Sequence, residues 1–91
     1  MNKQRRKELQ QQADKLENLM AELATIKEEI ESLRDEEDDA YSALPEGIQE
    51  SDRGCDMQEN IDQMDEIIDT LDTINDEMDD VFSTLNEVIE R

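Results

Sequence analysis

Residues 57–89 read MQENIDQMDEIIDTLDTINDEMDDVFSTLNEVI, and apolar residues recur in this segment with a seven-residue period. Position a of the heptad holds Met57, Met64, Leu71, Met78 and Leu85. Position d holds Ile67, Ile74, Val81 and Val88, and position e holds Ile61, Ile68, Phe82 and Ile89. Apolar residues at a, d and e form a wider face than a two-stranded coiled coil requires and are typical of bundles. The segment therefore predicts a long amphipathic helix that packs in a helical bundle.

A second amphipathic pattern occupies the first part of the chain. Its apolar residues follow spacings of 3, 4, 3, 4 and 3, which is the a/d signature of coiled-coil packing. They are Leu16, Leu19, Leu23, Ile26, Ile30 and Leu33, with Leu9 one heptad earlier. The pattern predicts a second long helix.

A short segment between the two patterns, residues 44–51, predicts a hinge. It contains Pro45, which disfavours helix at Leu44, and Gly47, which tolerates turns. Ser51 is a candidate N-cap for the helix that follows. The flanking helices, about 3–43 and about 52–90, have nearly equal lengths, which favours an antiparallel hairpin. We predict an all-α fold with one domain over residues 1–91, a coiled-coil hairpin that dimerises into a four-helix bundle.

The width of the apolar face is the reason to expect a homodimer. A two-helix hairpin covers only part of it, and the e column of the second helix (Ile61, Ile68, Phe82 and Ile89) is expected to stay exposed in a monomer. Covering roughly 1,000 Å² of apolar surface at ~25 cal/mol per Å² would outweigh screened repulsion between two such acidic chains. The nearly uncharged g position offers a flank where the second chain packs without repulsion. Position g holds Gln63, Thr70, Glu77 and Thr84.

Negative charge is concentrated in the second half of the chain. Residues 1–34 hold seven acids and seven bases, so the other 21 of the 28 acids follow Arg34, against only Arg53 and Arg91. Six aspartates at spacings of 3, 4, 3, 4 and 3 form what we call the Asp row: Asp62, Asp65, Asp69, Asp72, Asp76 and Asp79. These spacings place the six carboxylates along one side of a helix. Because Asp is a poorer helix former than Glu, the row is more than a solvated helix surface requires.

Composition excludes several classes of function. The sequence has no His, one Cys and no Gly-rich phosphate loop, so it lacks the usual constellations of catalytic, metal and cofactor sites. No apolar run is long enough to cross a membrane, and a net charge of −19 repels nucleic acids and anionic membranes. Cys55 has no partner for a disulfide, which fits a reducing compartment. We predict a cytoplasmic, non-enzymatic protein that holds no cofactor or metal and does not bind nucleic acid or membrane directly. The basic Arg5 and Arg6 are expected to pair with Glu87 and Glu90 across the hairpin.

The hinge carries a resemblance to a group of known proteins. The motif Tyr41-x-x-Leu44-Pro45-Glu46-x-Ile48-Gln49-x-Ser51-x-x-Gly54, set between two acidic heptad helices, resembles small proteins of bacteriophages and bacterial mobile elements. The likeness covers residues 30–75. No activity is assigned to that group. The resemblance implies a mobile-element setting in a host bacterial cell, where small acidic proteins often act against host machinery.

The density of charge along the Asp row predicts a function. Duplex DNA carries a phosphate every ~3.4 Å along each strand, and the row places a carboxylate every ~5 Å of helix axis. We predict that the chain mimics DNA and inhibits a basic nucleic-acid-binding protein, such as a host defence nuclease. The expected binding surface consists of Asp62, Asp65, Glu66, Asp69, Asp72, Asp76, Asp79 and Asp80, with a secondary acidic tip of Asp35, Glu36, Glu37, Asp38 and Asp39.

Two alternatives stay open at this point. In the first, the acids only keep an exposed coiled coil soluble, since runs of charge are usually solvated faces. In the second, the chain is a structural or assembly coiled coil that binds its partner through the apolar face. Salt distinguishes this second alternative from DNA mimicry, because ionic binding weakens with ionic strength and apolar packing does not.

Overall fold

The computed structural model describes all 91 residues, and its only regular elements are helices. Helix α1 spans Lys3–Ser42, the short helix α2 spans Glu46–Gln49, and α3 spans Asp52–Glu90. The prediction of an all-α helical hairpin is confirmed, and both long helices end within one residue of the predicted bounds. The single helical turn of α2, inside the hinge, was not predicted.

The helices contribute to two compact units. One unit comprises Met1–Thr25 and Asp72–Arg91, and the other comprises Ile26–Leu71 with the hinge. In each unit a segment of α1 packs against a segment of α3, so the core is a seam between two helices. Ala13 is fully buried in the first unit and Ile61, only 2% exposed, in the second.

Columns a and e of both helices face this seam. The a residues are half-buried throughout, and Gly54 and Ile61 at position e of α3 are buried. Position e of α1 holds Ala13 and then the long side chains of Met20, Lys27 and Arg34, which are half-buried. The expectation that the e column of α3 stays exposed is therefore wrong. Position e lies only about 40° from a around a helix of 3.6 residues per turn, and flexible basic side chains readily lay their aliphatic stems along apolar surface.

The side chains that the seam leaves exposed are those at position d. We call them the d columns, and six large aliphatic residues in them are between 39% and 58% exposed. They are Leu19, Ile74 and Val81 in the first unit, and Ile26, Leu33 and Ile67 in the second. Position d lies about 60° from a, on the side away from e, so a seam centred between a and e excludes it. The uncovered apolar surface thus lies at d.

Hydrogen bonds organise the hinge. The carbonyl of Pro45 accepts from the N–H groups of Ile48 at 2.9 Å and Gln49 at 3.0 Å, which starts α2. The Gln49 side chain then donates from Nε2 to the Tyr41 carbonyl at 3.1 Å, linking α2 back to the end of α1. The Ser51 hydroxyl, which the sequence suggested as a cap of α3, donates to the Ile48 carbonyl. Five residues of the hinge motif therefore take part in these bonds.

Gly54 is the glycine that the hinge requires. A Cβ at this buried position would lie 2.0 Å from the carbonyl oxygen of Gln49 and 2.4 Å from its carbonyl carbon. A Cβ at Gly47 would meet no atom within 4 Å, and neither glycine has a positive φ. The backbone at the end of α2 thus touches the first turn of α3, and only a residue without a side chain fits between them.

Candidate acidic interface

The Asp row lies along α3 on the opposite side of the seam from the d column. Its residues occupy positions b and f, about 100° and 140° from a, whereas d lies about 60° from a in the other direction. Five of the six carboxylates are exposed, and only Asp65 is half-buried. Helix α3 therefore separates its row of acids from its exposed aliphatic residues.

Arg34 of α1 neutralises part of the row from across the seam. Its Nε donates to Oδ1 of Asp65 at 2.9 Å, and its Nη2 reaches Oδ2 of the same carboxylate at 3.5 Å. The Nη1 atom lies 3.4 Å from Asp35 and 3.6 Å from Asp38. The hydrogen bond to Asp65 raises the pKa of Arg34 above its ordinary value, with some opposition from burial. The sequence shows no base within the row, so this charge compensation was missed.

Three further members of the row have polar partners. Asp62 accepts a hydrogen bond from Nε2 of Gln58, one turn earlier on α3, at 3.1 Å. Asp69 and Asp72 are exposed but also take part in polar interactions. The part of the row from Asp62 to Asp72 is therefore engaged within the chain.

The acids nearest the end of α3 differ from the others. Asp76, Asp79 and Asp80 are exposed, and none forms a hydrogen bond or an ion pair. We call these three residues, all in the first unit, the unpaired acids. Glu66, in the second unit, is likewise exposed and without a partner. The predicted surface is thus present on α3, but its carboxylates are not equally available to a binding partner.

The acidic tip of residues 35–39 is also partly engaged. Glu37 is half-buried and accepts a hydrogen bond from Nδ2 of Asn60 at 3.1 Å. Only Glu36 and Asp39 are exposed and without a polar partner, since the other two acids of the tip lie close to Arg34. The tip therefore offers fewer available charges than its sequence suggests.

The basic N-terminus does not form the predicted ion pairs. No hydrogen bond or ion pair joins Arg5 or Arg6 to Glu87 or Glu90. Arg6 occupies position e inside the seam, where its Nε is buried without a hydrogen-bond partner. Glu87 occupies position c, which faces away from the seam, and this separation explains why the prediction is wrong. The first turn of α1 is capped by Asn2, whose Oδ1 accepts from the N–H of Arg5 at 2.8 Å.

No group of three or more Cys, Asp or Glu residues is placed to hold a metal ion, and Cys55 is an exposed free thiol. None of the helices combines the length and hydrophobicity needed to cross a lipid bilayer. No protein-family model, curated protein or solved structure matches the chain. The resemblance of the hinge to mobile-element proteins, and the absence of enzymatic activity, therefore stay predictions.

Replacing Arg34 by Gln is expected to lower the thermal midpoint at low salt, because Asp65 then loses both of its hydrogen bonds from Arg34. The loss should shrink at about 1 M salt, where the Debye length falls from about 30 Å at 0.01 M to about 3 Å. Since the pKa of Arg34 is raised, its charged form stabilises the fold at every pH below the ordinary pKa of arginine. The effect of the substitution should therefore be the same at about pH 6 and about pH 9.

The matched control is Lys15→Gln, which removes one positive charge from an exposed residue with no partner. It separates the specific pair from the change in net charge. Equal midpoints for the two variants at low salt would show that the Arg34 contacts add nothing to stability.

Proposed function

We propose that this chain is a non-enzymatic acidic inhibitor that occupies a basic nucleic-acid-binding protein in place of DNA. The setting we infer is the interior of a bacterial cell that carries a phage or another mobile element. The observation that carries the proposal is the group of unpaired acids, Asp76, Asp79 and Asp80, which is exposed on one helix and uncompensated by any base. A protein that binds phosphates through Lys and Arg would donate hydrogen bonds to these carboxylates, which have no partner within the chain.

The spacing of these carboxylates supports the proposal. Asp76 and Asp79 are three residues apart, which corresponds to ~4.5 Å along the helix axis, close to the ~3.4 Å between phosphates of one DNA strand. The match is one of charge density, and a groove lined by flexible Lys and Arg side chains accommodates the difference. Asp62, Asp65, Asp69 and Asp72 extend the negative field along α3, although their internal partners weaken their own contribution.

Solubility alone accounts less well for this arrangement. An exposed helix stays soluble with Glu and Lys interspersed at i, i+4, where opposite charges also stabilise the helix. Here the exposed side of α3 between residues 54 and 90 contains no Lys or Arg at all. Like charges therefore repel one another along α3 from residue 54 to residue 90, and no basic residue of the same helix segment offsets this repulsion.

The experiment that tests the proposal is affinity capture with a salt and DNA challenge. The immobilised chain is exposed to a bacterial lysate at about 50 mM salt, washed, and then eluted either with about 0.5 M salt or with duplex DNA. We expect DNA to release the captured protein, and the released protein to bind duplex DNA when it is tested alone. Captured proteins that resist both eluents, or that have no affinity for nucleic acid, would contradict the proposal.

A second candidate function is favoured by a different observation, the exposed d columns. A structural or assembly coiled coil would bind another protein through these aliphatic residues, which are 39–58% exposed. Such binding would persist at about 0.5 M salt, because burial of apolar surface is not weakened by ionic screening. The same capture experiment therefore distinguishes the two functions.

A further inference from the structure

The d columns are exposed apolar surfaces that the proposed function of the acidic surface does not explain. They expose six large aliphatic side chains, three in each unit, in a chain of which 41% of the residues are charged. From residue 12 to 40 of α1 and from residue 60 to 88 of α3, no charged residue occupies position d. An exposed column that excludes charge over this length indicates a surface that becomes covered.

Within each unit the two d columns lie on the same face. When two antiparallel helices both turn a and e toward each other, their d positions lie on one side of the seam and their b positions on the other. Shallow grooves on the d side agree with this geometry. One is lined by Asp80, Val81, Thr84, Leu85 and Val88 in the first unit, and another by Glu66, Ile67, Thr70 and Leu71 in the second. Each unit therefore has one mainly apolar face, whose groove includes a single acid, and, on the opposite side, its part of the Asp row.

We propose that a second copy of this chain covers the d columns, so that two hairpins pair face to face in a four-helix bundle whose core is formed by positions a, d and e. Each copy offers the other three exposed aliphatic side chains in each of its two units. The six exposed side chains have an accessible surface on the order of 500 Å² per chain, so pairing two chains buries on the order of 1,000 Å². The Thr and Gln residues beside these side chains add to the buried area. Stable interfaces bury about 1,200–2,000 Å² in total.

The distribution of charge favours this occupant over a differently charged partner. Pairing through d turns the b and f positions of both copies outward, so the two Asp rows lie on opposite sides of the bundle. Two helical layers with axes about 10 Å apart separate the rows by more than the Debye length of about 8 Å at 0.15 M salt. Two chains of charge −19 thus associate without bringing their Asp rows together. If the proposed function also holds, on which this last point rests, one dimer presents two target-binding surfaces, each containing Asp76 and Asp79 of the Asp row.

The test is the mass of the purified chain, measured by light scattering at tens of micromolar protein and physiological salt. We expect twice the 10.6 kDa of one chain. A variant with Ile67→Gln and Ile74→Gln should be monomeric, with its helix content retained because the a and e residues are unchanged. The control, Ala21→Gln with Ser83→Gln, alters exposed f positions on the acidic side and should remain a dimer.

A milder variant tests the same interface with less risk that the chain fails to fold. Val81→Ala introduces a better helix former at a position that is 58% exposed, and should raise the dimer dissociation constant by about tenfold or more. The variant with Asp76, Asp79 and Asp80 all changed to Asn should dimerise as well as the parent or better. A monomeric parent, or a d-column variant that dimerises like the parent, would overturn the inference. Both results concern dimerisation alone and leave the proposed function unaffected. The proposed function fails separately if the captured proteins do not bind DNA.

Discussion

Replacing Gly54 by Ala is expected to lower the free energy of unfolding by about 3 kcal/mol, which is the upper end of the usual cost of overpacking. The added Cβ would lie 2.0 Å from the Gln49 carbonyl oxygen, and the obstacle is backbone rather than a flexible side chain. The end of α2 must therefore move away from α3. Thermal unfolding at a fixed protein concentration measures the effect, and a loss on the order of 15 °C in Tm is expected for a domain of this size.

Gly47→Ala is the matched control for this prediction. Its Cβ would meet no atom, and its backbone conformation suits any residue, so the change should be neutral or stabilising by about 0.5–1 kcal/mol. Similar midpoints for the two variants would mean that the hinge is not held in the close approach seen at Gly54.

Changing Asp76, Asp79 and Asp80 together to Asn is expected to weaken binding to the captured protein by roughly 10–100-fold. Each exposed ionic contact contributes about 0.5–1 kcal/mol, and three of them account for that range. The fold should not suffer, because these side chains form no hydrogen bond or ion pair within the chain and the change removes repulsion between like charges. Equilibrium binding at about 0.1 M salt, with helix content measured in parallel, provides the readout.

The matched control removes the same three charges from α1. Glu22, Glu28 and Glu29 are exposed and have no polar partner, so changing them to Gln lowers the net negative charge equally. We expect the control to bind within about threefold of the parent, because long-range fields are screened beyond about 10 Å at 0.1 M salt. Equal loss in both variants would mean that net charge, and not the position of the unpaired acids, governs binding.

The two long helices were predictable because their heptad patterns are strong and the hinge contains the only proline. The choice between d and e as the inner column was not predictable, since periodicity along one helix does not reveal what the facing helix offers. Here α1 places Ala13 at position e, together with the long stems of Lys27 and Arg34. Within the second unit, Lys27 and Arg34 lie at e of α1 and Ile61 is buried at e of α3, and the d columns stay exposed.

The candidate site was predictable only in outline. The Asp row follows from its spacing, but the partner of Asp65 depends on how α1 and α3 are aligned, which no single pattern specifies. Arg34 therefore changes the interpretation, because it neutralises a part of the row that looked as available as the rest. The tight packing at Gly54 was not predicted because it depends on how closely α2 approaches α3, and Gly47 has the more typical position for a turn.

We propose that this chain and DNA compete for the same surface of one protein. The most direct measurement is the fluorescence anisotropy of a labelled DNA duplex bound to the captured protein, while the unlabelled chain is added at several salt concentrations. We predict that the chain displaces the duplex completely. The chain concentration needed for half displacement should increase with salt concentration, and it should be higher still for the variant with Asp76, Asp79 and Asp80 changed to Asn. An anisotropy that stays constant or increases, because chain and duplex bind together, would contradict the claim.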